Sequence, residues 1–261
     1  MLTVATWNVN SLRVRQAHVV AWLQNHQPDL LALQEIKMTS EQFPADDFLE
    51  LGYHAVVSGQ KTYNGVAILS RIPPASPQCG IPDYSDPQQR VIAADYGPVT
   101  LLNLYVPNGS EVGSEKYLYK LDWFDRLHPY IRQLLKEKQH LVIVGDFNVA
   151  PADIDVHDPE EWAGKVLVSD AERAEFRKLI DHGLVDCYRM LDSNPGAYSW
   201  WDYRAAAFRR NRGLRIDHIL ADKALGQQLV ACSIDTEPRT LERPSDHTPV
   251  VASFDIDIRQ P

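Results

Sequence analysis

The run VIVGDFN, residues 142–148, constrains this chain more than any other feature: three aliphatic residues in succession, a glycine, then a carboxylate and an amide two positions apart. A short apolar run closed by a glycine suits a strand covered on both faces. Residues i and i+2 of an extended chain point the same way. Asp146 and Asn148 therefore leave the end of the most apolar segment side by side.

The same pattern recurs along the chain. LTVATWNV leads to Asn8 and Asn10, DLLALQE to Gln34 and Glu35, and VTLLNLYV to Tyr105 and a Pro-Asn-Gly turn. Asp217 lies inside RIDHILA, and Asp246 and His247 precede the last strand in PSDHTPVV. One Asp after a strand is in most cases a turn or cap residue, and one His a hydrogen-bonded structural group. Buried charges are costly unless paired or bound to metal, so a whole set at strand ends argues for convergence on one cleft.

Further strand-like runs, YHAVVSG, GVAILS and RVIAAD, alternate irregularly with helical patterns. Ala17, Val20, Ala21 and Trp22 predict a helix over 14–27, and 114–138 reads as a long amphipathic helix ending in lysines. Ser169, Glu172 and Gly183 supply a capping box and a stop for a helix over 169–183. The proline-rich segment 71–89 reads as a loop, and no linker or short-period repeat divides the chain, so one domain over 1–261 is expected. Irregular alternation with short turns predicts an α/β fold of two packed mixed β-sheets flanked by helices, not a parallel βαβ array.

Composition excludes several classes. Three scattered cysteines without a CxxC pair argue against a disulfide framework or a zinc cluster and for a reducing compartment. No basic leader with an apolar run opens the sequence, and no stretch reaches the roughly 18 apolar residues of a membrane span. A cytoplasmic protein without a membrane partner is expected. The formal net charge of -9 argues against a polyanionic partner on average. Residues 198–217 run against that average: Trp200, Trp201, Tyr203 and Phe208 interleave with Arg204, Arg209, Arg210, Arg212 and Arg215. Aromatics between arginines suit stacking and phosphate contact at a nucleic acid.

Carboxylates and amides are hard oxygen ligands suited to Mg²⁺ or Mn²⁺. A His beside carboxylates is held as imidazolium, a fixed donor toward an anion. An oriented water, a metal and donors to a phosphoryl group together describe metal-assisted phosphodiester hydrolysis. Gly-rich phosphate loops, GxSxG and HExxH are absent from the sequence, which removes the usual signatures of triphosphatases, serine hydrolases and zinc peptidases.

In order, WNVNSLR, LLALQEIK, GVAILS, LNLYVPNG, VGDFNVAP, SWWDYR with NRGLRIDHIL, and PSDHTPV resemble the signature blocks of the exonuclease III branch of the endonuclease/exonuclease/phosphatase superfamily. The resemblance implies a four-layered α/β sandwich and a Mg²⁺-dependent DNA repair nuclease, with Mn²⁺ as a substitute. The implied activities on double-stranded DNA are incision 5′ to abasic sites, 3′-phosphodiesterase or 3′-phosphatase action, and 3′-to-5′ exonuclease action. An enzyme confined mainly to 3′ ends, with weak or absent abasic-site incision, is the alternative.

Carried over residue by residue, Glu35 resembles the principal metal ligand, with Asn8 beside it. Asp146 resembles the residue that positions the attacking water or serves the leaving group, and Asn148 and Tyr105 resemble phosphate-orienting donors. Asp217 and His247 resemble a pair whose carboxylate fixes the imidazole against the scissile phosphate. Asp246 resembles a supporting residue or second-metal ligand, and Asp146, Asn148 and His247 are also implied around the metal. DNA contacts are implied for Arg90, Trp200, Trp201, Arg204, Arg209 and Leu214, the last standing where other branches carry Trp. Lys61, Lys116 and Lys120 are further basic candidates, and His157 and Trp162 lie in a variable loop next to the sugar pocket. Lipid phosphoesterases and silent DNA-binding relatives are the competing readings. No apolar surface hairpin supports the first, and the intact set Asn8, Glu35, Asp146, Asn148, Asp217 and His247 opposes the second. A monomer is expected.

Overall fold

A computed structural model describes residues 1–258. The chain opens with β1 (Leu2–Asn8), α1 (Leu12–His26), β2 (Leu30–Gln34), α2 (Ala45–Glu50), β3 (His54–Ser58) and β4 (Val66–Ser70). It continues with β5 (Ala75–Cys79), β6 (Val91–Tyr96), β7 (Val99–Tyr105), α3 (Glu115–Glu137) and β8 (His140–Asp146). The last part holds α4 (Pro159–Trp162), α5 (Asp170–Asp181), β9 (Leu184–Asp186), α6 (Cys187–Leu191), β10 (Asp217–Asp222), α7 (Lys223–Gly226), β11 (Leu229–Ile234) and β12 (Val250–Phe254).

Two six-stranded sheets result, ordered β11-β12-β1-β2-β4-β3 and β5-β6-β7-β8-β10-β9. Each has a parallel pair at its centre, β1 with β2 and β7 with β8, and antiparallel neighbours outside. A parallel pair needs a long crossover, and α1 and α3 supply the two.

Alternation along the strands makes the layers. Leu2, Val4, Leu30 and Ala32 face Leu101, Val142, Val144 and Ile219 across the space between the sheets. The intervening Ala5, Trp7, Leu31 and Leu33 pack outward against Val19, Trp22 and Leu23 of α1. On the other side Leu102, Leu104, Leu141 and Ile143 meet Trp123, Phe124 and Leu127 of α3 and Phe176 and Leu179 of α5. The order is helix, sheet, sheet, helix. Each aliphatic side chain fully buried in these layers contributes roughly 1.5–3 kcal/mol.

At one end of the seam the inward positions turn polar. Tyr105 pairs with Asp146 and Asp146 with Asp217 across three neighbouring strands, and Asn8 pairs with Gln34 in the opposite sheet. Beneath them Gln34 Nε2 donates to Asn103 Oδ1 at 2.7 Å and to Thr6 Oγ1 at 2.9 Å. Asn103 Nδ2 returns bonds of 3.0 and 2.9 Å to the carbonyls of Leu33 and Ala67. These buried amides bridge the sheets directly under the strand ends.

The expected helices over 114–138 and 169–183 stand as α3 and α5, the latter with the Ser169–Glu172 capping box, while α1 begins at Leu12. Two expectations are corrected. Segment 71–89 is not all loop: it contains β5, an edge strand with a register shift between Ala75 and Gln78. Pro77 is compatible with that place because an edge strand leaves one side unpaired. LVACSI was not read as a strand, yet it forms β11; its mostly exposed edge position leaves no sharp alternation to detect.

Gly145 breaks the VIV run for a steric reason. It sits at φ 141°, and a Cβ there would lie 1.9 Å from the Leu104 carbonyl oxygen on the neighbouring strand. G145A is therefore expected to cost on the order of 3 kcal/mol or more of unfolding free energy. Denaturant unfolding with an unchanged slope measures that loss, and a variant as stable as the wild type would contradict the packing account.

Candidate active site

The polar strand ends form one cluster. Asn8 Nδ2 donates bonds of 2.9 Å to Glu35 Oε1 and to Asp146 Oδ2, so an amide of the first sheet joins its own carboxylate neighbour to one on the second. Asn8 Oδ1 accepts the Asn10 backbone N–H at 3.0 Å. Asn8 as an oxygen ligand would need the opposite amide orientation.

His247 enters from the loop before β12. Ser245 Oγ accepts the His247 backbone N–H at 3.2 Å and itself donates to the Asn8 carbonyl at 2.7 Å. His247 Nδ1 donates to Asp217 Oδ2 at 2.8 Å, and Nε2 lies 3.7 Å from Asp146 Oδ2. Asp217 is held in turn by its backbone N–H, which donates to Ser199 Oγ at 3.0 Å. Burial alone would discharge this imidazole, but Asp217 and Asp146 outweigh it and push its pKa up to about 10. Burial raises Asp146 to about 7, with His247 pulling down and Asp217 pushing up. The cluster therefore keeps a protonated imidazole between two carboxylates.

Asn148 turns back into the same space in a left-handed conformation, φ 49°. Its backbone N–H donates to Asp146 Oδ1 at 2.9 Å, its Nδ2 to Val106 O at 3.0 Å, and its Oδ1 accepts Asn108 Nδ2 at 2.9 Å. Tyr105 stays protonated, because burial first and then Glu35 and Asp146 hold its hydroxyl well above its ordinary range. The Arg90 guanidinium stacks 4.6 Å from the Tyr105 ring and donates to Gln88 and to the Tyr105 carbonyl. A cleft of about 480 Å³ opens here, lined by Tyr105, Arg90, Asn108, Asn64, Gln88 and Lys116.

Positive φ angles gather at this place: Asn10 (43°), Glu35 (52°), Lys37 (54°) and Asn148 (49°). Asn tolerates that region, whereas Glu and Lys adopt it at a cost, a pattern typical of functional sites. Lys37 Nζ lies 2.9 Å from Glu35 Oε2 and bonds Asn10 Oδ1, and Asn10 Nδ2 donates to Asp246 Oδ1 at 2.9 Å. Trp200 Nε1 donates to the other Asp246 oxygen at 3.0 Å. Lys37, Ser199 and Ser245 were not singled out in the sequence. Only Lys37, two residues from Glu35, offered a signal, since serine acceptors of backbone N–H groups carry none.

Several expected DNA contacts lie elsewhere. Trp201 is only 1% exposed, packed edge-on to Phe208 with its Nε1 on Asn211, so it supports the 198–212 segment from behind. Leu214 is fully buried beneath Trp200 among Val156 and Val168. Arg215 is locked to Asp155 and Asp186 in the interior. Lys120 is also fully buried and is not a surface cation at all. None of these four stands on the surface: Trp201 and Leu214 are packed in apolar clusters, and Arg215 and Lys120 are held by internal carboxylates. Trp200 is half-buried against Trp162, Arg204 is exposed on Asp202, and Arg209, Lys61 and Lys116 are exposed. Among the described residues no helix is long and apolar enough to cross a membrane.

A profile of the Endonuclease/Exonuclease/phosphatase family matches residues 5–247. Exodeoxyribonuclease III of Haemophilus influenzae is 38% identical over 95% of this chain and 98% of its own. The 3′ phosphatase NExo from Neisseria, solved as its D146N form bound to a product DNA hairpin, is 46% identical, with a TM-score of 0.97 over 98% of this chain and 100% of that one. An AP endonuclease from Archaeoglobus fulgidus is 40% identical, with a TM-score of 0.95 over the same shares. Agreement in sequence and in fold along nearly the whole length makes this chain a member of the endonuclease/exonuclease/phosphatase family, in its exonuclease III branch of metal-dependent nucleases.

Proposed function

We propose that the chain is a Mg²⁺-dependent DNA repair phosphodiesterase, working as a monomer from one domain in the cytoplasm, with Mn²⁺ able to substitute. Its substrates are double-stranded DNA with abasic sites, incised on the 5′ side, and 3′ ends carrying blocking groups or open to exonuclease action. The observation that carries this reading is the row Tyr105, Asp146, Asp217 with His247 held between the two carboxylates.

Ligand atoms of Glu35, Asp146 and His247 lie within 4.8 Å of one another. The carboxylate oxygens of the first two suit a hard divalent cation, and the Asn8 amide nitrogen bonds both carboxylates. A bound cation supplies Lewis-acid stabilisation of charge on the phosphoryl oxygens. Protonated His247 has no free lone pair for a metal, so it is assigned instead as a donor to a non-bridging phosphate oxygen, held in place by Asp217. Asp146 orients the attacking water, and Asn148 and Tyr105 donate to the phosphate. Asp246 is assigned as a supporting residue that holds Asn10 and Trp200 rather than a second metal. Arg90, Trp200, Arg204 and Arg209 are the assigned DNA contacts.

A second reading, confined to 3′ ends, draws on the 46% identity to a Neisseria 3′ phosphatase and on the apolar packing of Leu167, Leu214 and Trp162 around Trp200. The deciding experiment offers one duplex with a central tetrahydrofuran abasic analogue and one with a 3′-phosphate. Metal-dependent turnover of both supports the main reading, and turnover of the second alone supports the narrower one. Inactivity on both with Mg²⁺ would sink the proposal, as would equal rates with EDTA. D217N is expected to lower kcat on the order of 10²–10⁴-fold with DNA binding retained, because the imidazole loses its charged partner. A D217N enzyme at full rate would remove His247 from its assigned role.

A further inference from the structure

Lys120 lies in the second turn of α3 with its side chain fully buried, a rare place for a lysine. Its three donors are all used. Nζ donates to the backbone carbonyls of Asn148 at 2.6 Å and Asn108 at 3.2 Å, and forms a short ion pair with Glu172 Oε1. Glu172, equally buried at the start of α5, accepts the Leu167 N–H at 3.0 Å, the Ser169 N–H at 3.2 Å and the Ser169 hydroxyl at 2.6 Å. Directly above, Asn108 Nδ2 bonds Asn148 Oδ1, and Asn148 reaches Asp146 through both its backbone N–H and its amide. The packing leaves little slack, since a Cβ on Gly109 would lie 3.3 Å from Lys120 Cδ.

A buried ion pair adds little net stability over apolar side chains of similar volume. Apolar groups would hold α3 against α5 as well. What they cannot do is bond two loop carbonyls at once, one of them in the left-handed Asn148 turn. We propose that Lys120 and Glu172 are a positioning pair for phosphodiester hydrolysis: the ammonium grips the residues carrying the Asn108 and Asn148 amides by their carbonyls, and Glu172 holds the ammonium. The pair acts through Asn148 and touches neither DNA nor the reacting atoms. This inference rests on the hydrolase reading above and adds two residues from α3 and α5 to it.

K120M alone strands the Glu172 charge, so the informative variant is K120M/E172Q, in which glutamine still serves as the capping-box partner of Ser169. With the 3′-phosphate duplex and Mg²⁺, kcat should fall about 10²-fold from loss of alignment. KM should stay within about twofold, because the contacts assigned to the rest of the DNA, Arg90, Trp200, Arg204 and Arg209, are untouched. K120Q/E172Q, which keeps one neutral donor toward the carbonyls, should recover part of the lost kcat. Melting temperature and near-ultraviolet circular dichroism report folding for both. A K120M/E172Q enzyme with wild-type kcat overturns the inference, as does a change confined to KM. Failure of both double variants to fold would make the pair purely structural and overturn it too. Wild type on this duplex and on the tetrahydrofuran duplex separates the two readings: if it is inactive on both with Mg²⁺, the hydrolase reading falls and carries this inference with it.

Discussion

The hydrogen bond from Gln34 to Asn103, 2.7 Å long, sits where the two sheets meet, and the site above depends on it. Both amides are fully buried, out of reach of bulk solvent. A buried polar group left unpaired costs about 1–3 kcal/mol, so this contact locks one relative placement of the sheets. With the sheets so placed Asn8, bonded to Glu35 in its own sheet, also reaches Asp146 on the other with a bond of equal length. The apolar seam supplies most of the stability, and the amide layer supplies the register.

Electrostatics above that layer follow from confinement. Asp146 and Asp217 are direct cross-strand partners, an arrangement that like charges oppose. His247, drawn in by Ser245, lies between them and stays protonated because both carboxylates are near. The result is a compact alternation of charge beside Tyr105, the strand partner of Asp146, which lines the cleft. The acidic balance of the whole chain does not describe this place, since formal net charge sums over faces that never meet.

Much of the candidate site was legible in the sequence. Asp146 and Asn148, Asn8, Glu35, Tyr105, Asp217 and His247 each stand at the polar end of an apolar run, and all of them meet. The segment 198–217 was the least legible. Its composition suggested a basic, aromatic surface, but Trp201 packs behind Phe208, Leu214 lies under Trp200, and Arg215 is tied to Asp155 and Asp186. An arginine that contacts a phosphate and one that closes an internal ion pair look alike in sequence. Lys120 makes the same point, because the head of an amphipathic helix is where a solvated lysine is expected.

By itself the sequence determined the layered α/β class, the strand-end carboxylates and the capping of α5, because period-two alternation and cap chemistry are local and are written in neighbouring residues. Only the tertiary structure decided which polar groups are partners: Gln34 with Asn103, His247 with both aspartates, Lys120 with Glu172 beneath Asn148. Those pairings join residues up to about a hundred positions apart, and their energies depend on burial that no single strand or helix creates alone. The same burial that makes an unpaired charge costly makes each such partner specific.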